Sequence, residues 1–382
     1  MKFPFAELPA LAPPTEYATL PPLAPVTLVD GQEAMLVTRY DDVRTVLADP
    51  RFSRAAYAAG PMFARRLESL ALATSDAPEH ARRRRAIGQM FTAHQARQSQ
   101  DGLDALAREL LAAARGASDL VTAFTLPFPM LVMCRMLGLP DDDRHRLRPW
   151  VDAMMSTSAY PAEHVAQARG LIRAYFARVV GQRRREPSDD LLGRLVADPD
   201  LSTDEAVMLG AGMLMAGYES TFNQLTICSY LVLRDPALAA ELRRAPAAAV
   251  DEMLRWTPFN ATGGIPHVAT EDVPLAGTVV TVGQVVVPLT DAANRDAAVF
   301  PDPDRIVVGR DAPAHLAFGH GRHRCPGAHL ARTELEVGLL ALLDEDLTLA
   351  VPESELAWRQ GMFIRGLRSL PVHWPAARRT PS

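Results

Sequence analysis

The sequence predicts a mainly helical fold (mainly α with small β-sheets), and three observations predict it. A thirty-residue run from Asp204 to about Leu233, capped by Ser202/Thr203 and stopped by Asp235-Pro236, is apolar nearly all round in its middle. Such a helix spans roughly 45 Å and belongs in a protein interior. Several shorter segments repeat apolar residues at helical spacing, whereas strand-like patterns are confined to short stretches.

In chain order, residues 1–26 are proline-rich from residue 8 and read as an extended lead-in. Thr27 to Val37 alternates loosely around Asp30-Gly31, the signature of a strand pair with a turn. Asp41 to Leu47 is a short helix. Ser75-Asp76-Ala77-Pro78 opens another, with a polar cap and a proline in the first turn. Leu103 to Ala114, Pro129 to Leu137 and Glu163 to Arg185 follow with helical periodicity. Beyond the long helix comes Pro246 to Trp256, its proline at a tolerated first position. Residues 260–290 turn β-like, in Val-rich runs split by glycines. A meander at Phe300-Pro301-Asp302-Pro303-Asp304 leads to a helix from Pro326 to about Leu343, and Ala357 to Trp374 reads as a last hairpin.

The chain has 382 residues and 48% hydrophobic content, enough for a large core, with no linker or repeat to divide it. One domain is expected over 27–376, with a flexible tail at 377–382. A net charge of −5 argues against a dedicated nucleic-acid binder. Cys134, Cys228 and Cys325 lie far apart, which makes no disulfide framework and fits a reducing cytosol. No apolar run of membrane length and no signal segment opens the chain, so a cytoplasmic protein free of membrane is expected. Lys2 is the one lysine among 40 basic residues. The interior thus has no lysine for a P-loop phosphate contact or a Schiff base, and kinase, P-loop and pyridoxal-phosphate chemistry are excluded.

The most specific run is Phe318-Gly319-His320-Gly321-Arg322-His323-Arg324-Cys325-Pro326-Gly327. It sets one thiol at the end of a glycine-bracketed loop just before a helix. The helix dipole, Arg322 and Arg324 all favour a thiolate there. A lone cysteine is most often a small buried apolar residue. His320, His323 and His329 raise zinc, though no C-x2-C pair is present. A Cys/His nucleophile pair is a third reading. Three further constellations accompany the loop. His80 and Arg84 share a helical face within Asp76-Ala77-Pro78-Glu79-His80-Ala81-Arg82-Arg83-Arg84-Arg85. Glu252 and Arg255 sit at i, i+3. Mid-way along the long helix, Ala216-Gly217-Tyr218-Glu219-Ser220-Thr221 places a glycine that costs about 1 kcal/mol and an acid that is expensive to bury unpaired. Both make sense if the helix opens locally over a small bound molecule.

Taken together and in this order, these motifs resemble the cytochrome P450 superfamily, the haem-thiolate monooxygenases, over about Thr27 to Val372. The resemblance implies one large helical domain with the long central helix over the haem. It implies haem b (iron protoporphyrin IX) with Cys325 as axial metal ligand in a loop including Phe318, Gly319 and Gly327. His80, Arg84 and His323 would donate to the haem propionates. His267-Val268-Ala269-Thr270-Glu271-Asp272 stands where the family typically has R-x-A-T-E-D, so His267 would donate there with a titratable charge. Ala216 and Gly217 would line the haem, and Glu219, Ser220 and Thr221 would form the catalytic acid–alcohol group that delivers protons to bound dioxygen. Serine replaces the family's threonine at 220, leaving the hydroxyl with a less restrained χ1. Glu252 and Arg255 correspond to a structural E-x-x-R pair, closed over by Asn294-Arg295-Asp296 and Phe300 to Pro303.

The resemblance further implies a small-molecule substrate, a ferredoxin and ferredoxin reductase as electron donors, and a monomer. Arg82, Arg83, Arg322 and Arg332 would form a basic patch for the ferredoxin. The substrate pocket would draw on the loop between Phe52 and Asp76, Met154–Pro161, Met208–Ala216, Phe259–Ile265 and Gln360–Ile364. Its methionines point to a mid-sized, partly apolar organic molecule, as in natural-product biosynthesis. Three functions follow: a monooxygenase that hydroxylates or epoxidises, an oxidase of the same fold that couples carbons or forms a ring, and a non-catalytic haem sensor. The acid–alcohol group argues against the last.

Overall fold

The computed structural model describes residues 1–5, 11–60 and 72–375. In chain order the strands are β1 (Lys2–Phe3), β2 (Leu23–Leu28), β3 (Glu33–Val37), β4 (Phe52–Ser53), β5 (His267–Ala269), β6 (Val273–Leu275), β7 (Thr278–Val280), β8 (Val285–Pro288), β9 (Thr348–Leu349) and β10 (Val372–His373). The helices are α1 (Tyr40–Ala48), α2 (Arg54–Ala58), α3 (Glu79–Gly88), α4 (Ala93–Ala113), α5 (Pro127–Met136), α6 (Arg144–Met154), α7 (Ala162–Arg185), α8 (Leu191–Ala197), α9 (Thr203–Arg234), α10 (Pro236–Arg244), α11 (Pro246–Trp256), α12 (Thr290–Ala293) and α13 (Ala328–Leu343). The architecture is mainly helical with small sheets, as expected.

The described residues divide into two compact units, each assembled from separate stretches of chain. The first unit comprises Met1–Gln89, Arg169–Met213 and Leu254–Pro326. Its main sheet has the order β1-β2-β3-β8-β5-β4. β2 and β3 pair antiparallel from Leu23 opposite Val37, and β3 continues parallel onto β8. The strand pair thus starts four residues earlier than its alternation indicated. β1 lies parallel to β2, and Phe3 and Phe5 are buried in the core beneath the sheet, all within the stretch expected to be an extended lead-in. Ser202 and Glu205 form a reciprocal capping box at the start of α9: Ser202 Oγ accepts from the Glu205 N–H, and Glu205 accepts from the Ser202 N–H.

The second unit comprises Met90–Ala168, Leu214–Met253 and Gly327–Ser382, described to residue 375. α4 packs against α13, and both bury aliphatic stripes, Leu103, Leu106 and Leu111 on one and Leu335, Leu339 and Leu342 on the other. The greater part of α9 runs through this unit and buries nearly every residue from Thr221 to Leu233. α9 is unbroken from Thr203 to Arg234, so no local opening accompanies Gly217. Its glycine has a packing cause instead: a Cβ there would stand 2.3 Å from Met133 Sδ on α5. Trp358 and Leu367 form an antiparallel bridge flanked by the Arg359 N–H to Gly366 carbonyl and Arg368 N–H to Ala357 carbonyl bonds, so part of the expected hairpin is present, and beyond it β10 pairs with β9.

Among the described residues no helix is long and apolar enough to cross a membrane. The expected tail at 377–382 and much of the loop between Phe52 and Asp76 lie outside the described residues.

Candidate functional site

The cysteine loop is built from the first unit's meander. Arg255, 3% exposed, donates to the carbonyls of Asn294 (2.8 Å), Pro303 (2.9 Å) and Arg305 (3.0 Å), and its guanidinium lies over Phe300. Asn294 Oδ1 in turn accepts from the Leu316 N–H at 2.6 Å, and the Leu316 carbonyl accepts from the Gly319 N–H. The Cys325 N–H closes the loop onto the Phe318 carbonyl at 2.8 Å. Gly321 sits at φ +66°, and a Cβ there would meet the Leu47 carbonyl oxygen at 2.5 Å, so only glycine passes beneath α1. α13 begins at Ala328 with Gly327 as its N-cap, so Pro326 lies before the helix and not at its first position. Cys325 forms no disulfide and is partly accessible, and its sulfur, when ionised, favours the charged Arg84 guanidinium. Among the described residues no group of three His, Cys, Asp or Glu is gathered to hold an ion.

His80 and Arg84 project from α3 as the spacing required. The His80 ring lies 4.2 Å from that of His323, centroid to centroid. Both rings, and His267 on β5, are buried. His80 Nε2, His323 Nε2 and His267 Nδ1 have no hydrogen-bond partner. Three imidazole nitrogens without a hydrogen-bond partner lie in one buried cluster, and such groups are costly unless a ligand satisfies them. Asp76 does not cap α3 with its side chain. It accepts from Ser53 Oγ and from the Ala55 N–H, and lies 3.6 Å from Arg322 and 3.7 Å from His323. Burial pushes the pKa of His80 down to about 4 and that of His267 well below its usual value. His267 accepts a hydrogen bond at Nε2, which the neutral ring can do and the cation cannot. Arg54, which belongs to none of the recognised motifs, donates to His267 Nε2 at 3.0 Å.

In the second unit Glu219 is fully buried on α9. It pairs with Arg359 and accepts from Asn223 Nδ2 at 3.2 Å, while its Oε2 has no partner. Arg359 also lies 3.4 Å from Asp152 of α6 and stacks over Phe222. Burial raises the Glu219 pKa to about 7; Arg359 opposes the rise and Asp152 adds to it. The Ser220 hydroxyl donates to the Ala216 carbonyl. Thr221 is buried, but Ala216, Gly217 and Ser220 keep accessible surface between buried neighbours. One short face of the helix is thus open. A cavity of about 320 Å³ is lined by Asp152, Tyr160, Arg359, Met362 and neighbours. Two stretches expected in the substrate pocket contribute to it, but its charged lining of Arg148, Asp152 and Arg359 is not the apolar one expected. Asn223, one turn beyond Glu219, was a legible signal; Arg359 and Asp152 were missed because they are distant in sequence.

The expected basic patch is not free. Arg82 and Arg83 both pair with Glu205, Arg85 pairs with Asp200, and Arg332 pairs with Asp251. The α3 arginines are tied to the loop and first turn that open α9.

A family model described as Cytochrome P450 matches residues 247–355. The chain is 40% identical to mycinamicin IV hydroxylase/epoxidase of Micromonospora griseorubida, over 97% of this chain and 98% of that one. Its structure superposes on the LnmA cytochrome P450 hydroxylase of the leinamycin pathway of Streptomyces atroolivaceus with a TM-score of 0.89 at 39% identity, covering 98% and 100% of the two chains. A cytochrome P450mel with biaryl coupling reactivity matches with a TM-score of 0.91 at 33% identity, covering 98% and 100%.

Proposed function

Since this chain belongs to the cytochrome P450 family of haem monooxygenases, we propose that it hydroxylates or epoxidises a mid-sized, partly apolar organic molecule of a natural-product pathway. The relatives' reactions support this reading. The family's cofactor fits the residues present: a cysteine outside any disulfide in a glycine loop, and three buried imidazole nitrogens without a hydrogen-bond partner. We assign haem b to it: Cys325 would ligate its iron, His80, Arg84, His267 and His323 would hold its propionates, and Phe318, Gly319, Gly327, Ala216 and Gly217 would line it. Residues 27–376 would act as one haem domain. Bound there, the haem supplies the oxidising chemistry, which a thiolate ligand promotes by donating electron density.

This chain's own contribution is proton handling, and Glu219 is the observation that carries it. A carboxyl titrating near 7 is suited to both giving and taking a proton at neutral pH. The unpartnered Oε2 is the carboxyl oxygen available to carry that proton. Arg359 and Asp152 line the cavity, and Arg359 joins the enclosed Glu219 to it. Ser220 supplies the hydroxyl one residue on, and Thr221 packs behind it. A ferredoxin with its reductase would supply electrons to a monomeric, cytoplasmic enzyme. The second reading is oxidative coupling without oxygen insertion, favoured by the likeness to P450mel; labelled dioxygen in the product separates the two. The primary test is the reduced, carbon-monoxide-bound spectrum. We expect the strongly red-shifted band of sulfur-ligated haem in the wild type and its loss in Cys325→Ala. A band that survives in Cys325→Ala overturns the assignment.

A further inference from the structure

Position 267 holds histidine where relatives of this type typically hold arginine, and the structure shows what stands in for the missing guanidinium. Arg54 is the first residue of α2, and its Nε donates to His267 Nε2 at 3.0 Å. A ring nitrogen that accepts a hydrogen bond carries no proton, so the one proton of neutral His267 lies on Nδ1. That atom is buried and has no partner. The Arg54–His267 pair therefore presents one imidazole N–H and one guanidinium to the surroundings shared with His80 and His323. Arg54 is itself held by α2 and by a long bond from Nη1 to the Ala73 carbonyl, 3.4 Å. Burial and Arg322 push its pKa down to about 10, and Asp76 is the acid that opposes them. The cluster thus carries Arg54, Arg84 and Arg322 against Asp76 and Cys325, with three imidazole nitrogens unpartnered. That is a surplus of partly buried positive charge beside the unpartnered N–H of His267, and a group bearing two carboxylates meets both.

We propose that Arg54 binds a haem propionate, supplying from α2 the guanidinium that the family usually carries at the position of His267, with His267 as the neutral ring that fixes it. This rests on the haem reading above. Arginine suits the role because its planar fork can serve the imidazole with Nε and a carboxylate with its terminal nitrogens at once. Neutral His267 accepts the Nε bond without adding a third like charge. An arginine at both positions would set two guanidiniums against each other, which gives a physical reason for the exchange.

The test measures haem retention and potential, not turnover. Purified holoprotein is mixed with excess apomyoglobin and haem transfer is followed, for wild type, Arg54→Gln, Arg54→Lys and the double variant Arg54→Gln with His267→Arg. The same proteins are reconstituted with haem dimethyl ester, whose propionates cannot carry charge. We expect Arg54→Gln to lose haem about tenfold faster, as loss of one charge-assisted contact predicts, and its midpoint potential to fall. Arg54→Lys should lie between, and the double variant should regain much of the wild-type rate. With the dimethyl ester the differences should vanish. Equal rates for wild type and Arg54→Gln overturn the proposal, as does a difference that persists with the ester, since that marks a purely structural arginine. If Arg54→Gln does not fold, wild type and Arg54→Lys with both haems decide in the same way. A wild type lacking the sulfur-ligated spectrum would instead sink the haem reading itself.

Discussion

Two buried charge clusters, one in each unit, are built on opposite terms. In the first unit Arg54, Arg84 and Arg322 gather with three histidines around Asp76 and Cys325, and leave imidazole nitrogens unpartnered. In the second, Glu219 and Asp152 are met by Arg359 and Arg148, with Asn223 closing one carboxyl oxygen. The first cluster is unbalanced and calls for an anionic group from outside the chain. The second is balanced, and what its balance sets is the proton affinity of one acid. A surplus of charge marks a binding site; a near-cancellation marks a tuned titrating group.

The balanced cluster is the easier to break, and breaking it from its two sides gives opposite results. Arg359→Leu removes the largest influence holding the Glu219 pKa down, so that pKa rises further above 7. Asp152→Asn removes an influence holding it up, so it falls. The sign in stability follows. Glu219 has a folded pKa raised above its unfolded value of 4.5, so its contribution is fully present below about pH 4.5 and is lost as pH rises through about 7. Arg359→Leu should extend that loss to higher pH and destabilise by about 3 kcal/mol at pH 7, the lower end for a broken buried pair, because the stranded carboxyl can protonate. Asp152→Asn should flatten the profile. Urea unfolding at pH 5, 7 and 8.5 measures both. Parallel pH dependences in the two variants would show that Glu219 does not titrate as the geometry requires.

The contrast also explains what could be read from the chain. The cysteine loop, α3 with His80 and Arg84, and α9 with Glu219 and Ser220 are local patterns, whose spacing carries their meaning in one stretch. Arg54 and His267 are 213 residues apart, and Glu219 and Arg359 are 140 apart. Such pairs leave no periodic trace. The arginines of α3 misled for the same reason: charge on an exposed-looking helix reads as outward-facing until Glu205 and Asp200 are found against it. Charge reversal at Arg82 would therefore loosen an internal pair as well as any docking face. α6 was missed because its charged first turns and Pro149 mask a helix that buries Leu147, Val151 and Ala153. Gly217 was legible as an anomaly, but its cause lay on α5.

That cause is testable with a smaller expected effect. A Cβ at 217 meets Met133 Sδ at 2.3 Å and its Cγ and Cε at 3.0 Å. Overpacking of this kind costs about 1–3 kcal/mol, and alanine returns about 1 kcal/mol of helix propensity. Gly217→Ala should thus destabilise by roughly 1 kcal/mol by urea unfolding. In a Met133→Ala background the same change should become neutral or stabilising, a coupling expected of side chains in contact. Independent, additive effects would return the glycine to the role of a backbone hinge.

The smallest structural change carries the last prediction. The Ser220 hydroxyl donates to the Ala216 carbonyl, one turn back on a helix face that keeps accessible surface. Serine can leave that bond by rotating about χ1 with little resistance; threonine's methyl restricts the choice. Ser220→Thr should leave stability within about 0.5 kcal/mol of wild type, since it adds one methyl on an open face. It should raise product formed per electron pair consumed and lower peroxide released, because a hydroxyl held in one rotamer passes its proton along one path. Product, peroxide and electron consumption measured together in both proteins decide it. Identical ratios would mean that Glu219 governs coupling alone and that the rotamer of residue 220 has no part in it.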